Sequence, residues 1–412
     1  MMQKVLNTIQ NVPYRSSQLV MKQVAQVLKL PIPPVLQGPG MVRRFPEIIK
    51  LSEVTKVLVV TDKPLYAMGL LDSFLCALET NGIDAVVFDK VQPNPTFENV
   101  EDGLAMYYST NCNGVVAFGG GSPIDCAKII AAKVTNRKSI EKMRGLYKLT
   151  RKLPPFFAIP TTSGTGSEAT ICAVITDVKN HEKFAINDPK LVPMATVLDP
   201  ELTVGLPPSL TAATGMDALT HAVEAYIGYY DTAFVKEKAL NTTEIIINNL
   251  EDCYHTGQDL DLRLKMAQAS FDGGLAFTRA YVGYVHAFAH AMGGFYGVPH
   301  GLANAIILPT ILDFSRNAAE KKLAELAFYS GLGEAMNDDE TLANLFIEKI
   351  KAMNANMGIP TTIYALKAHD IPELAKRILK EANPTYPVPR IMHYQECCDL
   401  LQQLCPEMAL NN

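Results

Sequence analysis

Five of the eight histidines in this 412-residue chain fall between positions 221 and 300, and four of them, His221, His286, His290 and His300, stand in patterned surroundings. Asp217 and His221 stand four apart in Gly-Met-Asp-Ala-Leu-Thr-His-Ala-Val-Glu-Ala-Tyr (215–226), so a helix projects both from one face. His286 and His290 repeat that spacing, and His300 sits between Pro299 and Gly301, where a rigid turn is expected. Their surroundings are nearly charge-free: 280–298 contains no Asp, Glu, Lys or Arg. A lone histidine on an apolar face is usually a packing residue. Several imidazoles and a carboxylate need a shared reason to be buried, and one divalent ion supplies it. Such donors suit Fe(II), Zn(II), Co(II) or Ni(II) without choosing among them, and disfavour Ca(II) and Mg(II).

Two loops offer a different chemistry. Gly119, Gly120, Gly121 and Ser122 follow an apolar run and precede a helix expected to begin at Pro123 or Ile124, a place where backbone N–H groups can approach a pyrophosphate. Pro-Thr-Thr-Ser-Gly-Thr-Gly-Ser-Glu (160–168) follows Phe156 to Ile159 and is rich in hydroxyls suited to phosphate and ribose. Neither has the spacing of G-x-G-x-x-G or of a loop ending G-K-[ST]. Asp62, after the run Val57 to Val60, reads equally well as a ribose acceptor or a helix cap.

These residues need a scaffold. Val57–Val60, Ala85–Phe88, Gly114–Phe118, Phe156–Ile159, Ala173–Thr176 and Thr196–Leu198 read as strands, with helices from about Leu65 to Asn81 and from about Phe97, which implies a parallel sheet covered by helices. Past Asp199 and Pro200 helical periodicity takes over, as in Leu342, Leu345, Phe346, Ile350 and Met353 behind a cap at Asp338 or Asp339. The expectation is an α/β protein: an N-terminal parallel-sheet dinucleotide-binding domain, 1–205, then an all-helical metal-binding domain, 206–412.

Composition sets the remaining bounds. With 37 Lys+Arg against 42 Asp+Glu, the net charge of -5 gives no general attraction to nucleic acid or acidic membranes. The stretch 280–298 is long enough to span a bilayer, but its two histidines favour a buried core helix. Scattered cysteines argue against a disulfide framework and for a reducing compartment. The start, free of acidic residues before Glu47, has some transit-peptide character, yet its single Arg before Arg43 and its Gln content favour a cytoplasmic protein.

Together, 119–125, 160–168, 215–226, His-Ala-Phe-Ala-His (286–290) and Pro-His-Gly (299–301) resemble the iron-containing (group III) alcohol dehydrogenases, over about Val57 to Pro360. The resemblance implies a dehydroquinate-synthase-like fold with the active site in the cleft between its domains. It implies metal ligands at Asp217, His221, His286 and His300, with His290 as a nearby non-ligand. It places cofactor contacts at Asp62, Asn94, Gly120, Gly121, Ser122, Asp125, Thr161, Thr162, Thr165 and Lys183. Cys172 stands where diol-oxidising members carry an asparagine, and Phe277 resembles a residue that packs on the substrate's carbon chain. The implied reaction is hydride transfer between a primary alcohol or aldehyde and NAD(H), NADP being the less favoured cofactor, with Fe(II) or another divalent ion such as Zn(II) acting as Lewis acid and His290 relaying the proton. A small-molecule substrate is the expected partner, with neither nucleic acid nor membrane, and a homo-oligomer is allowed. Two related activities compete: a dehydroquinate-synthase-type lyase, which would need basic residues that 283–299 lacks, and a hydroxyacid–oxoacid transhydrogenase, which would turn over little free NAD.

Overall fold

The computed structural model describes residues 2–27, 29–179, 182–334 and 336–409. The chain divides into two compact units, one of Leu30–Pro207 with Thr256–Gly274, the other of Met1–Lys29, Pro208–His255 and Leu275–Asn412.

In the first unit the strands are β1 Val35–Gln37, β2 Lys56–Val60, β3 Asp84–Phe88, β4 Gly114–Gly119, β5 Gly145–Leu146, β6 Phe156–Pro160, β7 Cys172–Asp177, β8 Glu182–Asn187 and β9 Ala195–Leu198. Six form one sheet in the order β1-β9-β6-β4-β2-β3, and every pairing is parallel. Successive residues of a strand point to opposite faces, and both faces here are apolar. Leu58, Val60, Val115, Ala117, Phe156 and Ala158 join one core cluster, while Val57, Val59, Val116, Phe118, Phe157 and Ile159 join another. This double burial explains why β2, β4 and β6 read as uninterrupted apolar runs. The connection from β2 leads outward to β3, and the next returns past β2 to β4. The ends of β2 and β4 therefore flank the point where the winding reverses, the usual ligand position in such sheets.

Three expectations are corrected here. The helix from Leu65 to Asn81 is two helices, Lys63–Ala67 and Asp72–Thr80, because Gly69 adopts φ +70° between them. The helix after the glycine loop begins earlier, as Gly121–Thr135. Strand β7 does not join the main sheet. It pairs antiparallel with β8, an element whose exposed Glu182 and Lys183 hid its pattern, in a separate sheet of order β5-β8-β7.

The second unit is helical. Its opening helix Met2–Val27, for which the sequence offered no role, is tied down by Arg15, which donates to the carbonyls of Val388 and Pro389 at 2.7 and 2.8 Å, and by Gln18, which donates to that of Tyr386 at 2.6 Å. Asp338 caps Asp339–Asn356 through the N–H of Thr341 at 2.8 Å. The uncharged stretch is not one helix. Leu260–Ala280 ends, Tyr281 takes φ +63°, and Tyr284–Tyr296 starts afresh. Glu224 causes the restart by accepting the N–H groups of Gly283 and Val285 at 2.7 and 2.6 Å, and only glycine fits at 283, where a Cβ would lie 2.6 Å from Glu224 Oε1. Phe277 and His286 therefore stand on different helices. His300 likewise is not on a turn but opens the helix His300–Tyr329. Among the described residues no helix is long and apolar enough to cross a membrane.

Candidate metal centre and cofactor loops

In the helical unit three imidazoles converge on one carboxylate oxygen. Asp217 Oδ1 lies 4.0 Å from His221 Nε2, 3.8 Å from His286 Nε2 and 3.5 Å from His300 Nε2. Asp217, His221 and His286 are buried, and each offers a donor atom within 4.8 Å of the others. His286 shows why the set is oriented. Its Nδ1 is 2.7 Å from Glu224 Oε2, which fixes the ring and turns Nε2 inward, and that buried Nε2 has no hydrogen-bond partner. Burial above all, then the neighbouring imidazoles His221, His300 and His290, hold His286 well below its ordinary pKa, so it presents a neutral lone pair. An inward imidazole nitrogen without a partner, facing a carboxylate and two further imidazoles, is the donor chemistry a divalent transition metal satisfies. Asn304, one turn beyond His300, donates to Asp217 Oδ1 at 2.6 Å.

Glu224 was overlooked in the sequence, although it lies seven residues after Asp217 on the same helical face. Burial pushes its carboxyl up to about 7, against the three N–H groups that favour ionisation. Around the set, the Phe277 ring stacks on His221 with centroids 4.2 Å apart, and His290 stacks on His300 at 5.3 Å. His290 Nδ1 is 2.6 Å from Glu381 Oε1, which also accepts the Tyr386 hydroxyl at 2.8 Å. No sequence signal marks Glu381, which lies 91 residues from its partner. Burial raises its pKa, but His290 and Tyr386 outweigh that and hold the carboxyl below its usual range.

In the sheet unit the two polar loops meet at the ends of β4 and β6. Thr161 N–H donates to the Gly119 carbonyl at 3.1 Å. A Cβ on Gly120 would lie 3.2 Å from Thr162 Oγ1, and one on Gly121 2.8 Å from Thr165 Cγ2. The hydroxyl loop packs on bare backbone at both places, tightly at Gly120 and too closely for an unshifted Cβ at Gly121. Beside them Lys183 Nζ donates to Asn94 Oδ1 at 2.7 Å, and Asn94 N–H donates to Ser122 Oγ at 3.3 Å. Asp62, at the end of β2, caps the next helix by accepting Leu65 N–H at 3.0 Å through Oδ1. Asp125 is half-buried, with Oδ1 accepting from Ser167 Oγ at 2.6 Å and Oδ2 from Val174 N–H at 2.9 Å. Cys172 opens β7 and is partly exposed.

A parallel sheet with phosphate-type loops, together with a three-histidine, one-carboxylate set on helices, defines a metal-dependent dinucleotide oxidoreductase. Family models agree: residues 33–200 match the iron-containing alcohol dehydrogenases, and 211–405 match the C-terminal part of the Fe-containing alcohol dehydrogenase family. The chain belongs to this family, and it transfers hydride between an alcohol or aldehyde and a nicotinamide cofactor. It is 40% identical over 370 residues to a 1,3-propanediol dehydrogenase of Citrobacter freundii, covering 89% of this chain and 95% of that one. Alcohol dehydrogenase 4 of Schizosaccharomyces pombe is 40% identical over 361 residues, covering 85% and 84%. The crystal structure of a 1,3-propanediol oxidoreductase superposes with a TM-score of 0.89 at 37% identity, covering 92% of this chain and all of the other.

Proposed function

We propose that the enzyme interconverts short to medium primary alcohols and their aldehydes with NAD(H) in preference to NADP(H), and that Fe(II) is its resident metal, held by Asp217, His221, His286 and His300. The observation that carries this reading is the inward, unpartnered Nε2 of His286 beside Asp217 Oδ1. A divalent metal bound there supplies Lewis-acid stabilisation of negative charge on the alcohol oxygen.

The chain's own residues do the rest. Glu224 fixes the His286 tautomer, and Phe277 gives the metal set an apolar wall. His290, anchored by Glu381 and outside the ligand set, takes the alcohol proton and passes it to solvent. Dinucleotide binding is assigned to the sheet unit, with its contacts within 1–205, and metal binding to the helical unit, with its ligands within 206–412. Gly120, Gly121, Ser122, Thr161, Thr162 and Thr165 receive the phosphates, with Asn94 and Lys183 beside them. Asp62 disfavours a 2′-phosphate on the adenosine ribose, Asp125 acts through the loop it holds, and Cys172 contacts substrate. The eight cysteines are free thiols, the state a cytoplasmic location maintains.

The test is elemental analysis of the purified enzyme followed by an alcohol panel with free NAD. Stoichiometric iron and steady accumulation of NADH with 1-butanol are expected. A protein that exchanges hydride between two substrates without releasing NADH would refute the proposal.

A further inference from the structure

Lys128 lies on the helix Gly121–Thr135 and is fully buried. Its Nζ donates to the carbonyls of Ser167, Thr170 and Cys172 at 2.6, 2.9 and 2.7 Å, and to Thr170 Oγ1 at 2.9 Å. The three carbonyls match the three N–H groups of an ammonium, with Thr170 Oγ1 sharing one of them, whereas a neutral amine has only two to give. Burial alone lowers the pKa of this lysine, and Asp125 and Glu168 oppose that fall. One turn back on the same helix, Asp125 takes the Ser167 hydroxyl and the Val174 N–H. An i, i+3 pair of opposite charges thus grips both ends of segment 167–174.

The grip replaces regular structure. Ser167–Ala169 is a single 3-10 turn, and β7 starts only at Cys172, so the carbonyls of Ser167 and Thr170 belong to no sheet ladder. Just upstream, Gly166 has φ +56° and packs so tightly that a Cβ would lie 2.5 Å from the Ser270 carbonyl. The chain turns sharply at 166, and in its next six residues Lys128 holds the carbonyls of Ser167, Thr170 and Cys172. The threonines at 161 and 162 lie before this turn and meet the glycine loop directly, whereas Thr165 Oγ1 also accepts the Ser167 N–H at 3.2 Å.

We infer that Lys128 is a positioning residue for hydride transfer: its ammonium sets the backbone from Ser167 to Cys172, and so the placement of Cys172, while leaving the glycine loop and its contacts with Thr161 and Thr162 alone. This rests on the assignment of Cys172 to substrate contact. It predicts a divided effect, in which turnover falls and cofactor affinity does not. A displacement of about 1 Å at reacting groups costs on the order of 100-fold in rate.

The experiment compares the metal-loaded parent with Lys128→Met. We expect unchanged metal content, a Kd for NADH, read from its own fluorescence, within about threefold of the parent, and a kcat with 1-butanol about 100-fold lower. Alkylation of Cys172 by iodoacetamide, followed by peptide mass spectrometry and needing no turnover, should be faster by about tenfold, which separates this inference from the reaction assigned above. Parent-like kcat and Cys172 labelling would overturn it, as would equal losses of kcat and NADH affinity. Should Lys128→Met fail to fold, Thr170→Val removes one acceptor and keeps the lysine. The same two changes, reduced to about threefold, are then expected, and their absence overturns the inference.

Discussion

Replacing Glu224 tests whether the metal set is held from outside. Its two oxygens accept three N–H groups, Gly283 at 2.7 Å, Val285 at 2.6 Å and His286 Nδ1 at 2.7 Å. Alanine would orphan all three, at about 1–3 kcal/mol each, a total comparable to the stability of a whole domain. Glutamine is therefore the informative variant. Placed with its carbonyl where Oε2 now sits, it keeps Gly283 and His286 but turns an NH2 toward Val285 N–H and loses the negative charge that makes the imidazole a better ligand. Loss of a group behind a metal-binding histidine costs about 10- to 100-fold in metal affinity, or roughly 1.4–2.7 kcal/mol. Glu224→Gln should fall in that range when the retained metal is measured by elemental analysis across a chelator titration. A folded variant that holds metal within about twofold of the parent would show that His286 needs no outer anchor, and the argument would fail.

Four other outcomes follow from the same geometry. Asp62→Gly should raise the ratio of NADP to NAD efficiency, measured as kcat/KM for each cofactor, by about tenfold from loss of charge repulsion, since the carboxylate ends β2 at the winding reversal. His290→Ala should keep its metal by elemental analysis while losing about 100-fold in kcat, because its Nδ1 is held by Glu381 and it stands outside the proposed ligand set. Burial pushes the Glu168 carboxyl from 4.5 to about 7, so the folded protein holds that proton more tightly than the unfolded chain does. Stability from this group is present below about pH 4.5 and lost as pH rises toward 7; denaturant titrations of Glu168→Gln should lack this loss, by up to about 1.4 kcal/mol per pH unit. Cys172→Asn should narrow a preference for 1-butanol over 1,2-propanediol, about tenfold in the parent's kcat/KM, because a hydroxyl without a partner costs roughly 1–3 kcal/mol.

The parallel sheet was legible because β2, β4 and β6 are buried on both faces, so their apolar runs are unbroken. The glycine and hydroxyl loops were legible because both end such runs. What escaped reading is set by tertiary partners. No local feature of Tyr281 to Gly283 stops a helix as firmly as the Glu224 carboxylate that caps the next one from 59 residues away. Strand β8 exists through its pairing with β7, not through its alternation. Lys128 in the sequence is one more helical lysine, and only acceptors 39 to 44 residues ahead make it a buried clamp.

The uncharged stretch around His286 brings these lessons together. Read alone, 280–298 has the composition of a membrane span containing two histidines. In the fold its missing charges are supplied by other helices: Glu224 holds His286 and the start of Tyr284–Tyr296, and Glu381 holds His290. Each carboxylate binds an Nδ1, which leaves the opposite edge of each ring to other work. The difference between the two rings lies in what that edge meets. His286 Nε2 is enclosed beside Asp217, whereas the His290 side chain is 37% exposed. A nitrogen enclosed with a carboxylate is suited to hold a cation, and a half-exposed imidazole is suited to exchange a proton with water. On the proposed reading, two histidines one helical turn apart thus take different roles because their partners differ.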